Sequence, residues 1–350
     1  MSHPMTATYA DDQPAARRRH PTGPQWPSYK GTSQLVGTSS SGKVTVYVDP
    51  SLGAQGLQNA KDLVADADRV VSANDALFGT TGGPVSVIVF ALGGATDGTG
   101  GADHMGCDYT TGAAIEVCAS FGNSPRVSAL FEAELSECSM GGNLCGVSTG
   151  EALSRWCASV ISSNALSDFA TAPQWDQDGR PNYVDQTAPT DQDADSTGCG
   201  MAFLSWLMSM GQGLDSIAQG MVSLGDSGAL AQVYSNLTGN PASTAWPAFQ
   251  SAIQNLQNGI TNDDPFGGAA QPAQLAHLAP WTVALAGKVF STILADIAAG
   301  KTANQLVASV RAVMATAPNA KAAGMSGAAC NIRSRRLLPP HKVQARSAGI

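Results

Sequence analysis

Glu134, Glu137 and Glu151 are the residues whose type and spacing could carry chemistry in this chain. Residues 124–140 read SPRVSALFEAELSECSM. At 100° per residue, Val127, Leu130, Phe131, Leu135 and Cys138 fall on one helical stripe. Glu134 lies inside that stripe, Glu137 sits at its edge, and Glu132 is placed on the opposite side. A carboxylate on a core-facing surface is costly unless it is paired, hydrogen-bonded, protonated or metal-bound. Glu134 is therefore expected either at a site or in an internal bridge. Grouped carboxylates can act in three ways: as a hydrogen-bonded structural bridge, as ligands of a hard cation such as Ca²⁺ or Mg²⁺, or as a metal-free acid–base pair.

The elements that must position these side chains follow from periodicity. Alternation predicts strands over 43–48 (KVTVYV), 84–92 (PVSVIVFAL) and 113–118, with an amphipathic helix over 56–78 between the first two. Beyond 124 the pattern turns helical, over 124–140, 148–162, 198–210, 214–224, 227–237 and 247–256. The Gly-rich segment 93–106 is expected to be a flap over a cleft, and His104 within it a surface loop residue. The long connection 164–197 is expected to be functional or to wrap the surface. Residues 1–40 read as a disordered leader, 274–316 as an Ala-rich helical extension and 329–350 as a basic disordered tail.

Other acids have plainer readings. Ser148-Thr-Gly-Glu151 fits a capping box, with Ser148 as N-cap and Glu151 returning to its backbone. Asp191-Gln-Asp193-Ala-Asp195 gives alternating carboxylates like half a calcium loop. Asp195 is accordingly a candidate ligand, but Asp195 or Ser196 also suits the cap of a helix starting near Gly198.

Composition narrows the classes. The chain has 350 residues, a formal net charge of −8, 43% hydrophobic residues and 13% charged residues. The negative balance excludes nucleic acid as a general partner. No stretch reads as a membrane span or signal peptide, so the expected compartment is the cytoplasm. Seven cysteines without a CxxC are expected to be free thiols; Cys145–Cys199 is a possible bridge if the protein is exported.

The order of motifs resembles the zincin-like metallopeptidases, of the gluzincin and basic secretory protein type. Ala133-Glu134-Leu135-Ser136-Glu137 stands in the slot of HELxH, and Glu151 of GEALSRW in that of the third zinc ligand. TGCGMAFLSWL (197–207) resembles the third helix of that fold and LAQVYSNLTG (230–239) its closing helix. GEALSR-like and GCGMAFL-like phrases are also similar to bacterial proteins without an assigned role. The resemblance implies an α+β domain over 43–260, with a small mixed sheet and a helical lobe meeting at Glu134. It also implies Glu134 as inherited base and Glu137 and Glu151 as metal ligands; Asp195 joins them as a candidate ligand only through the alternating acids of 191–195. The chain departs from the pattern where zinc chemistry needs two imidazoles one turn apart, for those slots hold Ala133 and Glu137. The expected function is a degenerate, non-catalytic binding or structural relative of metallopeptidases, with no cofactor required and peptide or protein as partner. Two alternatives stand beside it. One is a hydrolase of peptide-like substrates with a carboxylate-ligated divalent cation (Ca, Mg or Zn); the other is an interaction protein using its C-terminal helices.

Overall fold

A computed structural model describes residues 23–96, 99–109, 114–162 and 166–270, with short pieces between 291 and 309. The chain divides into two units, 1–277 and 278–350. In the second unit, residues 295–298 are helical and Asp296 pairs with Lys301 at 2.6 Å. The expected extension 274–316 falls largely outside the described residues, and the tail 329–350 falls wholly outside them.

The first unit is mixed α+β, built on one five-stranded sheet. Strand β1 (Gln34–Thr38) runs antiparallel to β2 (Val44–Val48). It lies inside the stretch 1–40 expected to be a disordered leader, so 34–38 are strand instead. Helix α1 (Gly53–Phe78) crosses over to β3 (Val85–Phe90), parallel to β2. Its buried Leu63, Ala67, Val70 and Val71 recur at three- and four-residue steps and cover Val44, Val46 and Val48, which alternate along β2. Strand β4 (Ala102–Met105) pairs antiparallel with β5 (Ala114–Cys118), and β5 pairs parallel with β3, giving the order β1-β2-β3-β5-β4. Strand β4 thus occupies an edge, within the segment expected to be only a flap.

The second face of the sheet is closed by residues 23–31. Trp26 packs with Ile88, Phe90 and Ala114, and the carboxylate of the fully buried Glu116 on β5 accepts from Ser28 N–H (3.0 Å), Tyr29 N–H (2.6 Å) and Ser28 Oγ (2.6 Å). Three donors offset the cost of burying that polar group.

The helical half comprises α2 (Ser124–Ser139), α3 (Ser148–Ile161), the short α4 (Ala172–Gln177), α5 (Ala194–Ser209), α6 (Leu214–Leu224), α7 (Leu230–Thr238) and α8 (Ala245–Gln254). Helix α5 is its axis, with every residue from Ser196 to Met208 buried. Phe203 and Trp206 pack on Phe249, which stacks on Trp175 at 5.8 Å. Two glycines of the quoted phrases are explained by close approach. A Cβ at Gly200 would lie 2.6 Å from Ala152 Cβ, so α3 and α5 touch there at backbone distance. A Cβ at Gly150 would lie 2.0 Å from the Leu144 carbonyl oxygen, which fixes how α3 departs from its preceding loop.

The cysteines depart from expectation. Cys107 and Cys145 form a disulfide, whereas Cys199, the suggested partner of Cys145, is a buried free thiol beside Cys118, Cys138 and Cys157. Spacing alone cannot tell which loops the fold brings together. Among the described residues no helix is long and apolar enough to cross a membrane.

Candidate active site

Helix α2 opens with Asn123, whose side chain accepts from the Arg126 N–H, and with Pro125 in its first turn. It packs against β5, α1 and α3. Val127, Leu130, Phe131, Leu135 and Cys138 enter the core under the sheet, as the stripe requires. The glutamates do not follow the expected order. Glu132, placed on the outward side by periodicity, is fully buried, while Glu134 is half-buried at a cleft. A helical wheel assumes one covered face and one wet one, but α1 and α3 cover the remaining flanks of α2.

Glu132 lies in a closed network. Its Oε1 accepts from Asn74 Nδ2 at 2.9 Å and Ser136 Oγ at 3.5 Å, whereas Oε2 is buried without a partner. Burial pushes its pKa up to about 8, against the lowering by the Arg69 charge and the Asn74 hydrogen bond. The side chain is therefore largely a neutral acid at pH 7.

Glu134, Glu137 and Glu151 line a single cavity of about 770 Å³, together with Asp191, His104, Arg155 and Ser154. Glu151 is not a capping residue. Helix α3 is preceded by Val147, and the Ser148 hydroxyl is used elsewhere: it accepts from the Ala188 N–H at 3.0 Å and contacts Ser196 Oγ. Glu151 is thus free to face the cavity, 3.7 Å from Arg155 Nε. Burial, and then the charges of Glu137 and Glu151, hold the Glu134 pKa well above the carboxylate range. Burial also raises Glu151; Arg155 opposes this, and Glu137 and Asp191 add to it. With Asp103, which also lines the cavity, five carboxylates here face one guanidinium and one imidazole.

His104, the one histidine among the described residues, is the feature that sequence reasoning missed. It lies on β4 opposite Ile115 and faces α2. Its Nε2 is 2.8 Å from Glu137 Oε2, and its Nδ1 contacts the Gly106 carbonyl oxygen. That carbonyl can only accept, so Nδ1 carries a proton, and the Nε2–Oε2 contact needs a further one shared within the pair. Burial lowers the His104 pKa, but the hydrogen bond and charge of Glu137 outweigh it and raise the pKa overall. Only 13% and 15% of the two side chains is exposed, so this proton is sheltered from solvent. Glu137 Oε1 also accepts from Ser154 Oγ at 3.1 Å.

The other wall comes from the long loop after α3. Phe169 lies under two guanidinium groups, Arg126 at 4.8 Å and Arg155 at 5.7 Å. Arg126, almost fully buried, bonds Asp168 at 2.7 Å and the Gly100 carbonyl at 3.0 Å, which ties this loop to the Gly-rich segment. Asp195 does not line the cavity. It sits in the first turn of α5, which begins at Ala194 with Asp193 as cap, accepting from Ser196 N–H at 3.0 Å. The acid of that loop which reaches the cavity is Asp191.

The residues present do not suit a zinc ion. The single imidazole already spans Gly106 and Glu137, the remaining donors are hard carboxylates, and no three His, Cys, Asp or Glu groups among the described residues are arranged to hold a metal. No protein family, curated protein or solved structure matches this chain.

Proposed function

We propose that the chain is a zincin-like binding protein whose acidic cleft takes a cationic, peptide-like ligand without hydrolysing it. The observation that carries this reading is the excess of Asp103, Glu134, Glu137, Glu151 and Asp191 over Arg155 and His104 around one cavity. Carboxylates that raise one another's pKa values are repaid when a lysine or arginine side chain enters among them. Among the described residues strand β4 pairs on one side only, with β5, and Ala102, Asp103 and His104 line the cavity. An extended peptide can add to such an edge through main-chain hydrogen bonds while its side chains enter the cleft. The zincin-like assignment is supported by the order of elements. An edge strand lies beside the helix bearing Glu134, and the next helix supplies Glu151 to the same cavity. The Cys107–Cys145 disulfide adds an oxidising compartment to the proposal, in place of the cytoplasm.

A second reading rests on the sheltered proton of His104 and Glu137. It is a metal-free hydrolase with Glu134 as base and the imidazolium as acid. Fluorescence anisotropy with a labelled lysine-rich hexapeptide, followed by mass analysis of the peptide after incubation, decides between them. Saturable binding of an intact peptide, absent for a glutamate-rich control, supports the binding protein. Cleavage supports the hydrolase. Equal affinity for both peptides refutes the acidic-cleft reading.

A further inference from the structure

The Cys107–Cys145 disulfide joins the two sides of the cleft. Cys107 follows β4 by two residues, and Gly106 beside it supplies the carbonyl that fixes the His104 ring. Cys145 lies in the connection between α2, which carries Glu137, and α3, which carries Glu151. A backbone bond from Gly142 N–H to the Cys107 carbonyl, 2.7 Å, reinforces the same junction. The connection is otherwise anchored: Leu144, held at φ 60°, donates its N–H to Asp226 Oδ1 at 2.5 Å. Strand β4 is held more lightly: it is four residues long, has a single neighbouring strand among the described residues, and reaches α2 through the His104–Glu137 contact. Both bridged cysteines are half-exposed, whereas Cys118, Cys138, Cys157 and Cys199 are buried thiols. The bridge thus lies nearer the surface than the four buried thiols.

We propose that the Cys107–Cys145 disulfide is a redox-sensitive clamp on the cleft, whose reduction releases β4 and weakens ligand binding. In the reaction, a dithiolate attacks one sulfur, the Cys107–Cys145 bond breaks and a mixed disulfide forms. The reagent's second thiolate then attacks its own first sulfur in the mixed disulfide, forming the cyclic disulfide and releasing the protein cysteine as a thiolate. Two electrons and two protons pass to the protein, leaving two thiols, and the reagent becomes a cyclic disulfide. Without the covalent link, the β4 segment is held by its pairing with β5, the His104–Glu137 contact and the Gly142–Cys107 backbone bond, so it opens locally at lower cost than the central strands. The consequence for binding rests on the acidic-cleft reading; the clamp itself does not.

The test is amide hydrogen exchange of the full chain, oxidised and after treatment with a cyclising dithiol. The expected result is exchange about tenfold or more faster at 102–109, unchanged exchange at 85–90, and recovery on reoxidation. The Cys107→Ser/Cys145→Ser double variant should match the reduced protein. In parallel, affinity for the lysine-rich hexapeptide should fall severalfold on reduction. Unchanged exchange at 102–109 overturns the clamp, and so does an equal acceleration at 85–90, which marks a staple of the whole fold. Faster exchange confined to 102–109 supports the clamp even where the hexapeptide fails to bind, a result that overturns only the acidic-cleft reading.

Discussion

Glu132 and Glu134 stand two residues apart on the same helix, and both are held above the ordinary carboxylate range, yet their surroundings differ in kind. Glu132 is enclosed with Asn74 and Ser136, where a neutral acid completes the packing between α1 and α2. Glu134 borders an open cavity, where the charges of Glu137, Glu151, Asp103 and Asp191 add to burial in raising its pKa. A raised pKa therefore does not distinguish a structural acid from a site acid. The nature of the neighbours does: donors indicate a bridge, whereas gathered like charges beside a cavity indicate a missing partner.

The comparison is tested most severely by reversing the charge at the cleft. Glu134→Lys should weaken binding of the lysine-rich hexapeptide by about a hundredfold or more, read by anisotropy, because it both removes an attraction and adds a repulsion. Retained affinity would show that the cavity is not the binding site. At the enclosed position the expected effect is on pH dependence. Burial holds the folded Glu132 carboxyl at about 8 against an ordinary glutamate value of 4.5, so the folded state holds a proton that the unfolded chain releases between those values. Stability is then greatest below the lower value and falls as pH rises through the window. Glu132→Gln removes this loss. It should stabilise the protein at pH 8 by on the order of a few kcal/mol and change little at pH 4, read from chemical denaturation at both pH values. A variant with the same pH dependence as the parent would place the titration elsewhere.

Smaller effects sharpen the boundary between the two regions. Gly200→Ala forces a methyl to within 2.6 Å of Ala152 Cβ and should cost about 1–3 kcal/mol of stability, while α3 shifts and drags Glu151 with it. A melting curve and a binding curve on that variant would show whether α3 packing and the cleft are coupled. His104→Gln removes the imidazolium beside Glu137, so affinity for the cationic peptide should rise severalfold. A fall would favour the hydrolase reading, in which the imidazolium is a working group.

How much of this was legible in the sequence depended on whether a segment is long enough to show a period. The strands at 44–48 and 85–90 and helix α1 stood out because Val and Ile alternate, or Leu63, Ala67 and Val70 recur, over several turns. Strand β4 did not, since four residues, Ala-Asp-His-Met between glycines, carry no readable alternation. With β4 hidden, His104 could not be placed against Glu137, although both lie in the same cavity. The capping box at Ser148 misled because that hydroxyl has a stronger claim on it, the chain at Ala188, forty residues away. Glu132 was assigned to solvent for a similar reason. Periodicity reports how many faces of a helix are apolar, not how many are covered, and α2 is covered on nearly all of them.

The most direct test replaces each glutamate by alanine in turn and measures both melting and hexapeptide binding. Glu132→Ala should lose about 2–4 kcal/mol of stability through a cavity and an unpaired Asn74 donor, with binding per folded molecule unchanged. Glu134→Ala should melt at or above the parent temperature and lose at least tenfold in affinity. If Glu134→Ala instead melts far lower with its affinity intact, Glu134 is a second structural bridge and the cleft is not a site.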